Sequence, residues 1–416
     1  MSSQNQLQTL KGFRDFVGPD AQNRRWLIAK IIEVFEKFGF EPLESPALEY
    51  ESLLTGKYGA EADKLIYSFE DRGGRRVALR YDQTVPTARI VAQYQNKITF
   101  PYRRYQIQPV WRADKPQKGR YREFFQCDAD IFGSESLIAD AEILSVYYFI
   151  YENIGISTFV IALNDRKQLI KIIQNNGISE KDIFSVIQTI DKLGKKTEDE
   201  ILEELEEKAI SQEKGKKLLK ELKQSEPSEK LKKIIKYAIE LGVPENALVY
   251  QASLARGLDY YTGIIFEGMI PEYTVGSVGG GGRYDKLVND LVQFDIPAVG
   301  FGLGFDRTLE AAQELGKVPS FITSTTVLVT VFSDELTSLS LEMTKKLRDQ
   351  NIATECSTEA TGKIDRQLKY ANKKGIPYVI IIGPEEAQKN VIQLKNMKTG
   401  EQKELNFDKV LQILRS

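Results

Sequence analysis

Between Arg112 and Gly133 the chain reads RADKPQKGRYREFFQCDADIFG. Arg112, Lys115, Lys118, Arg120 and Arg122 stand among the turn formers Asp114, Pro116 and Gly119, and an alternating run with Gln126, Asp128 and Asp130 follows. This pattern predicts two strands joined by a basic loop, Arg112 ending the first strand and Phe124 beginning the second. Alternation places Phe124, Gln126, Asp128 and Asp130 on one strand face. Guanidinium groups on the loop suit a polyanion, while Gln126 and Asp130 on the sheet floor want a polar partner if buried. The chemistry indicated is a polyanion held above a smaller polar group.

Other stretches carry similar residue types. In LRYDQTVPTAR, Arg80, Asp82 and Thr84 are expected to alternate onto one face of a hairpin running from Tyr67 to Ala92 with its turn at Gly73-Gly74. QASLARGLDYYTGIIFEG reads as a strand hairpin with Arg256 and the Tyr260-Tyr261 pair at its active end. VGSVGGGGRYDKLV holds four consecutive glycines, costly to order and suited to backbone lying flat against something, but it lacks the P-loop lysine and the Rossmann pattern. PAVGFGLGFDRTLEAA sets strand, glycines and helix around Arg307. The chain contains no histidine, which excludes an imidazole metal site, a Ser-His-Asp triad and any histidine base.

These residues must be positioned by larger elements. A length of 416 residues predicts two or three domains. Lys and Arg number 57 against 59 Asp and Glu, so a polyanion site must be a local patch. Cys127 and Cys356 lie far apart, supporting neither a disulfide framework nor a zinc cluster and fitting a reducing cytoplasm. MSSQNQLQTLKG lacks an apolar core of signal-peptide length, and no apolar run is long enough to span a bilayer. A helix is expected from Gly18-Pro19-Asp20 to about Lys37, with Leu27, Ile31, Phe35 and Phe38 on one stripe. From Leu163 to about Val249, dense Lys and Glu at helical spacing predict a helical insertion. After a connector near Val318 to Thr325, TTVLVTVF, IATECS and YVIIIG read as strands with helices between them, a small α/β domain with a buried, mainly parallel sheet.

WRADKPQKGRYREFFQCDADIFG resembles the second signature motif of class II aminoacyl-tRNA synthetases, in its histidyl-tRNA synthetase form. LRYDQTVPTAR, RGLDYY, GGGGRYD and GFGLGFDR resemble further motifs of that family, in the family's order, and the first helix with Pro46 resembles the class II dimer motif. The resemblance implies an α+β fold: a class II antiparallel sheet flanked by helices (residues 1–162 and 250–322), the helical insertion (163–249), and a C-terminal α/β anticodon-binding domain (326–416). It implies activation of histidine by ATP and transfer to histidine tRNA, in a cytoplasmic homodimer with no membrane association, with magnesium bridging the phosphates and no protein-built metal site. Carried over position by position, Asp82 and Thr84 hold the substrate ammonium and Gln126 its amino and carboxylate side. Asp130 and Tyr261 meet the imidazole, with Tyr260 beside them. Arg112 takes the α-phosphate, Arg120 the outer phosphates, Arg307 the nucleotide from the other side, and Arg256 is the catalytic residue. Gln117 matches the position associated with the extra 5′ nucleotide of histidine tRNA, and Lys118 and Arg122 suit phosphate contacts. The chain departs from the family at Phe305-Asp306, where a small or aliphatic residue and Glu are usual.

A second reading is the non-catalytic regulatory subunit of ATP phosphoribosyltransferase, which shares the catalytic-domain fold. Arg112, Arg120, Arg256 and Arg307, with the C-terminal α/β domain, stand against it.

Overall fold

The computed structural model describes residues 7–56, 63–117, 119–193, 196–255, 261–289, 295–320, 323–358 and 363–415. It divides into two compact units, Met1–Asp15 with Trp26–Val318, and Phe16–Arg25 with Pro319–Ser416.

Strands of the larger unit are, in chain order, β1 (Glu41–Pro42), β2 (Leu48–Tyr50), β3 (Ser68–Glu70), β4 (Arg76–Leu79), β5 (Tyr102–Trp111), β6 (Glu123–Phe132), β7 (Val160–Asp165), β8 (Leu248–Tyr250), β9 (Ile264–Met269), β10 (Gly279–Arg283) and β11 (Ala298–Gly304). Eight of them form one sheet in the order β1-β5-β6-β11-β10-β9-β7-β8. Its interior pairs are antiparallel, and only β1 and β8 at the edges pair in parallel. The 112–133 hairpin therefore stands as expected, with the basic loop between Trp111 and Glu123.

One face of this sheet is greasy because the alternation of β6 and β11 sends Cys127, Ala129, Ile131, Phe301 and Leu303 to it. Against them pack Leu27, Ile31 and Phe35 of the Pro19–Lys37 helix and the helix Leu137–Ile154. That second helix is apolar on nearly every side, as a helix inside a core must be. Ser136 caps its start by accepting from the Ile138 amide, and Gly155, at φ 88°, ends it. The other face of the sheet carries the polar residues.

The hairpin β3–β4 turns where expected, with the Asp71 carboxylate accepting from the Gly73 and Arg75 amides. It does not continue through Thr84: residues Thr84–Tyr94 form a helix. Pro86 sits in the first turn, where a missing N–H costs nothing, and Ala88, Val91 and Ala92 turn into a second apolar cluster. Asp82 and Thr84 thus meet through a strand-to-helix junction and not by alternation along a strand. Arg80, expected beside them, is buried, donating to the Ser45, Pro46 and Pro109 carbonyls and to Gln108 Oε1.

Within the Lys- and Glu-rich stretch, helices Arg166–Asn175, Ile183–Ile190, Glu198–Glu207 and Gln212–Gln224 enclose a core of their own. The two ends of that stretch are β7 and β8 of the main sheet, and the helix Glu229–Glu240 places Leu231, Ile234 and Ala238 in the main core. In the smaller unit, β12 (Val327–Val329) pairs in parallel with β13 (Thr354–Cys356) and β14 (Tyr378–Ile381). An antiparallel hairpin, β15 (Ile392–Asn396) and β16 (Gln402–Leu405), extends the sheet beyond β14, so it is evenly mixed and not mainly parallel.

Gly281 opposes Phe301 across β10 and β11, and a Cβ there would lie 2.0 Å from the Gly300 carbonyl oxygen. Backbone in a central sheet has nowhere to retreat. Gly281→Ala is expected to destabilise the larger unit by about 1–3 kcal/mol, read as a lowered thermal midpoint; an unchanged midpoint would show that the two strands tolerate separation.

Candidate active site

Strand register builds the site. Arg104, Gln106 and Gln108 on β5 stand opposite Asp130, Asp128 and Gln126 on β6, which in turn stand opposite Gly300, Gly302 and Gly304 on β11. Directly paired residues share a face, so one side of the sheet carries a polar ladder beside a strip of bare backbone. Gly280 and Gly282 on β10, opposite Gly302 and Gly300, widen the strip. Bare backbone is required here: a Cβ on Gly300 would lie 1.8 Å from Asp130 Oδ1, and one on Gly282 would lie 2.5 Å from the Ile264 carbonyl oxygen and 2.8 Å from the Tyr261 ring. The two glycine-rich stretches of the sequence are one floor.

Above this floor is a cavity of about 470 Å³. Of the residues singled out from the sequence, Asp82, Thr84, Arg112, Arg120, Gln126, Asp130, Tyr261 and Arg307 line it, and Gln117 does not. Arg256, Tyr260 and Lys118 lie outside the described residues.

Its acidic end is deeply buried, with Asp82, Asp128 and Asp130 at 6%, 3% and 4% exposure. Asp130 is ion-paired to Arg104, itself fully buried, and accepts a hydrogen bond from the Tyr284 hydroxyl. Burial raises the Asp130 carboxyl above its ordinary value, and the Arg104 charge and the Tyr284 hydrogen bond pull it back. Asp128 stands opposite Gln106 in the register where Asp130 stands opposite Arg104, and Gln106 donates elsewhere, to Ser45 Oγ and Gln108 Oε1. Burial pushes Asp128 up to about 8; Arg104 and Arg112 oppose the rise, and the charges of Asp130 and Asp82 add to it.

Cations hold the other end. Arg112 donates from Nε to the Tyr81 carbonyl at 3.0 Å, and its guanidinium lies 4.3 Å from the Tyr81 ring centre and 5.2 Å from that of Phe124. Arg307, in the first turn of the helix Phe305–Glu314, donates to the Ser277 carbonyl at 2.8 Å. Arg120 is more exposed, 3.8 Å from Asp114, on a tight backbone turn closed by reciprocal amide–carbonyl bonds with Gln117. The departure at Phe305-Asp306 has a local reason: Phe305 packs on Phe125, and Asp306 accepts from Arg14 Nη2 at 2.8 Å. The Arg14 guanidinium also lies over the Tyr121 ring, and the Gly12 carbonyl accepts from the Arg122 amide, so the N-terminal segment straps the basic loop.

Arg104, Asp128, Tyr284 and Arg14 escaped the sequence reading as site residues. Arg104 was recoverable from the alternation of Arg104, Gln106 and Gln108 along β5. Asp128 was recoverable likewise, since alternation already sets it on the face of Gln126 and Asp130; no local signal marks Tyr284 and Arg14, whose roles depend on contacts with distant segments.

A family model described as histidyl-tRNA synthetase matches residues 12–308, and one described as anticodon binding domain matches residues 326–416. A histidine-tRNA ligase of Christiangramia forsetii is 39% identical over 443 aligned residues, covering 96% of this chain and 97% of its own. The crystal structure of a histidyl-tRNA synthetase from a Nostoc species superposes with a TM-score of 0.88 at 31% identity, covering 98% of this chain and 99% of that one. A Bacillus halodurans structure titled ATP phosphoribosyltransferase regulatory subunit/histidyl-tRNA synthetase gives 0.74 at 20% identity, covering 88% of this chain and 96% of that one, a likeness of fold alone.

Removing one member of a buried ion pair strands the other at a cost of about 3–5 kcal/mol. Arg104→Met is therefore expected to lower the unfolding midpoint sharply, and Arg104→Met with Asp130→Asn to recover most of the loss. Equal stability of Arg104→Met and the unaltered protein would mean that Asp130 is neutral before the change.

Proposed function

The chain belongs to the histidyl-tRNA synthetase family, and from that premise we propose how its pocket activates histidine. The reaction is that of a histidine-tRNA ligase: histidine and ATP give histidyl-adenylate and pyrophosphate, and the histidyl group passes to the 3′ end of histidine tRNA. The observation that carries the assignment of roles is the polarity of one cavity, acids buried at one end and guanidinium groups at the other.

In the first step a carboxylate oxygen of histidine attacks the α-phosphorus, a new oxygen–phosphorus bond forms, and the bond to pyrophosphate breaks. Two anions approach while a third leaves, so the barrier is largely electrostatic and no protein nucleophile is needed. Arg112 neutralises the α-phosphate and the attacking carboxylate. Arg307 steadies the nucleotide from the opposite wall and Arg120 reaches the outer phosphates from its exposed turn; in the transfer step Lys118 and Arg122 suit positioning contacts to tRNA phosphates. Arg256, in the RGLDYY stretch, is assigned the role of catalytic residue. At the acidic end Asp82 and Thr84 receive the α-ammonium, Gln126 its carboxylate side, and Asp130 with Tyr261 and Tyr260 the ring. Gln117, on the loop outside the cavity, is assigned to the acceptor end of tRNA.

Magnesium fits such a site as the counter-ion of ATP. It favours phosphate and water oxygens with one or two carboxylates added, and Asp114 lines the cavity beside Arg120. A homodimer accords with Leu48, Tyr50 and Phe69, exposed together on the sheet β2-β4-β3. No described helix is long and apolar enough to cross a membrane, and the free cysteines Cys127 and Cys356 suit a cytoplasmic setting. The regulatory-subunit reading is the weaker one, since the anticodon-binding match spans residues 326–416.

Exchange of labelled pyrophosphate into ATP is expected to require histidine. Arg112→Ala and Arg307→Ala are each expected to slow it by about 100-fold or more, while Asp130→Ala raises the KM for histidine far more than that for ATP. Folded protein that exchanges with no amino acid, or equally with another, contradicts the assignment.

A further inference from the structure

Two dipeptides cross where the cationic and acidic ends of the cavity meet. Arg80-Tyr81 leads into Asp82 at the acidic end, and Trp111-Arg112 ends β5 and begins the basic loop. The Trp111 amide donates to the Arg80 carbonyl at 3.1 Å, and Arg112 Nε donates to the Tyr81 carbonyl at 3.0 Å. Side chains bridge the same gap. The Arg80 guanidinium lies 5.6 Å from the Trp111 ring centre, and the Arg112 guanidinium lies 4.3 Å from that of Tyr81. Arg80 is buried on the Ser45 and Pro109 carbonyls, and Trp111 Nε1 donates to Glu123 Oε2 at 2.7 Å, so the first pair is a fixed base for the second.

A guanidinium is planar, with five donors in a rigid fork. In Arg112 the Nε donor is used on the Tyr81 carbonyl and one face of the plane lies over the Tyr81 ring. The remaining edge carries the two Nη groups, the edge that grips a phosphate or carboxylate through two hydrogen bonds. Burial raises the Tyr81 phenol above its ordinary value; Arg112 and Arg120 oppose the rise, and Asp114 and Asp82 add to it. The ring therefore meets the cation uncharged. Tyr81 does not line the cavity, whereas Arg112 and Asp82 do.

Resting on the role given to Arg112 above, we propose that Tyr81 is a positioning residue for adenylate formation, its ring holding the Arg112 guanidinium in the plane from which the Nη groups meet the α-phosphate and the attacking carboxylate together. A cation over a ring face is held more firmly where water is scarce, and a donor already oriented needs no reorganisation as charge develops. Without the ring, Arg112 still supplies its charge and substrates still bind. Its donors then arrive misaligned at the transition state, so the loss falls on the maximal rate more than on either KM.

Pyrophosphate exchange, with ATP and histidine varied in turn and the thermal midpoint followed as a control for folding, tests this. Tyr81→Leu keeps an apolar side chain without the ring face and is expected to lower the maximal rate by about 10-fold, with each KM changed by less than about 3-fold. Tyr81→Phe keeps the ring and most of the rate. On the residual rate of Arg112→Ala, adding Tyr81→Leu costs little more, because the group it positions is gone. Fluorinated phenylalanines at position 81 weaken the ring face with little change of shape, so the rate falls stepwise with fluorine number; this arm stands even where Tyr81→Leu does not fold. A full rate in Tyr81→Leu, a rate in Tyr81→Phe as low as in Tyr81→Leu, an equal cost of Tyr81→Leu with and without Arg112, or indifference to fluorination overturns the proposal. Full exchange in Arg112→Ala would instead remove the reading of Arg112 on which it rests.

Discussion

The Arg104 guanidinium is fully buried and permanently charged, and a charge placed there demands a counter-charge held close. Asp130 answers it from the neighbouring strand, fixed by the Tyr284 hydroxyl. That pair joins β5 to β6 across the cavity face, and it requires glycine at position 300 of β11, because the Asp130 carboxylate occupies the space a side chain there would need. The cavity exists because two strands give up their side chains on one face to make room for it.

The cavity carries buried carboxyl groups and more exposed guanidinium groups. Buried carboxyl groups can discriminate between amino acids because leaving one unpaired is costly in a site with little water. Half-exposed arginines such as Arg120 suit phosphates that must arrive and depart with solvent, whereas Arg112 and Arg307 are anchored to backbone carbonyls and aim at a fixed point. The N-terminal strap through Gly12, Arg14 and Asp306 ties Tyr121 and Arg122 of the basic loop to the helix that carries Arg307.

Much of this was legible in the sequence. The β5–β6 hairpin declared itself through alternation on both sides of a Gly- and Pro-bearing loop, and Gln126 and Asp130 fell on the expected face. What stayed hidden was non-local. Val85 and Pro86 read as the continuation of a strand, yet Pro86 is tolerated in a first helical turn and Ala88 and Val91 are needed in a core, so tertiary packing chose the helix. The ends of the 163–249 stretch, β7 and β8, pair with each other, and β7 pairs on its other side with β9; β15–β16 was passed over because its apolar residues are few and its turn rests on Asn396 and Gly400. Tyr284 stood in plain view beside the glycines, but only the paired strands show that its hydroxyl ends on Asp130.

The most direct measurement is a crystal structure of the protein with histidine bound. The account predicts the imidazole lying over Gly300 and Gly302, one ring nitrogen within about 2.7–3.2 Å of the Asp130 carboxylate, and the α-ammonium at Asp82. A ring turned toward Arg112 and Arg307, or histidine seated outside this cavity, would contradict it.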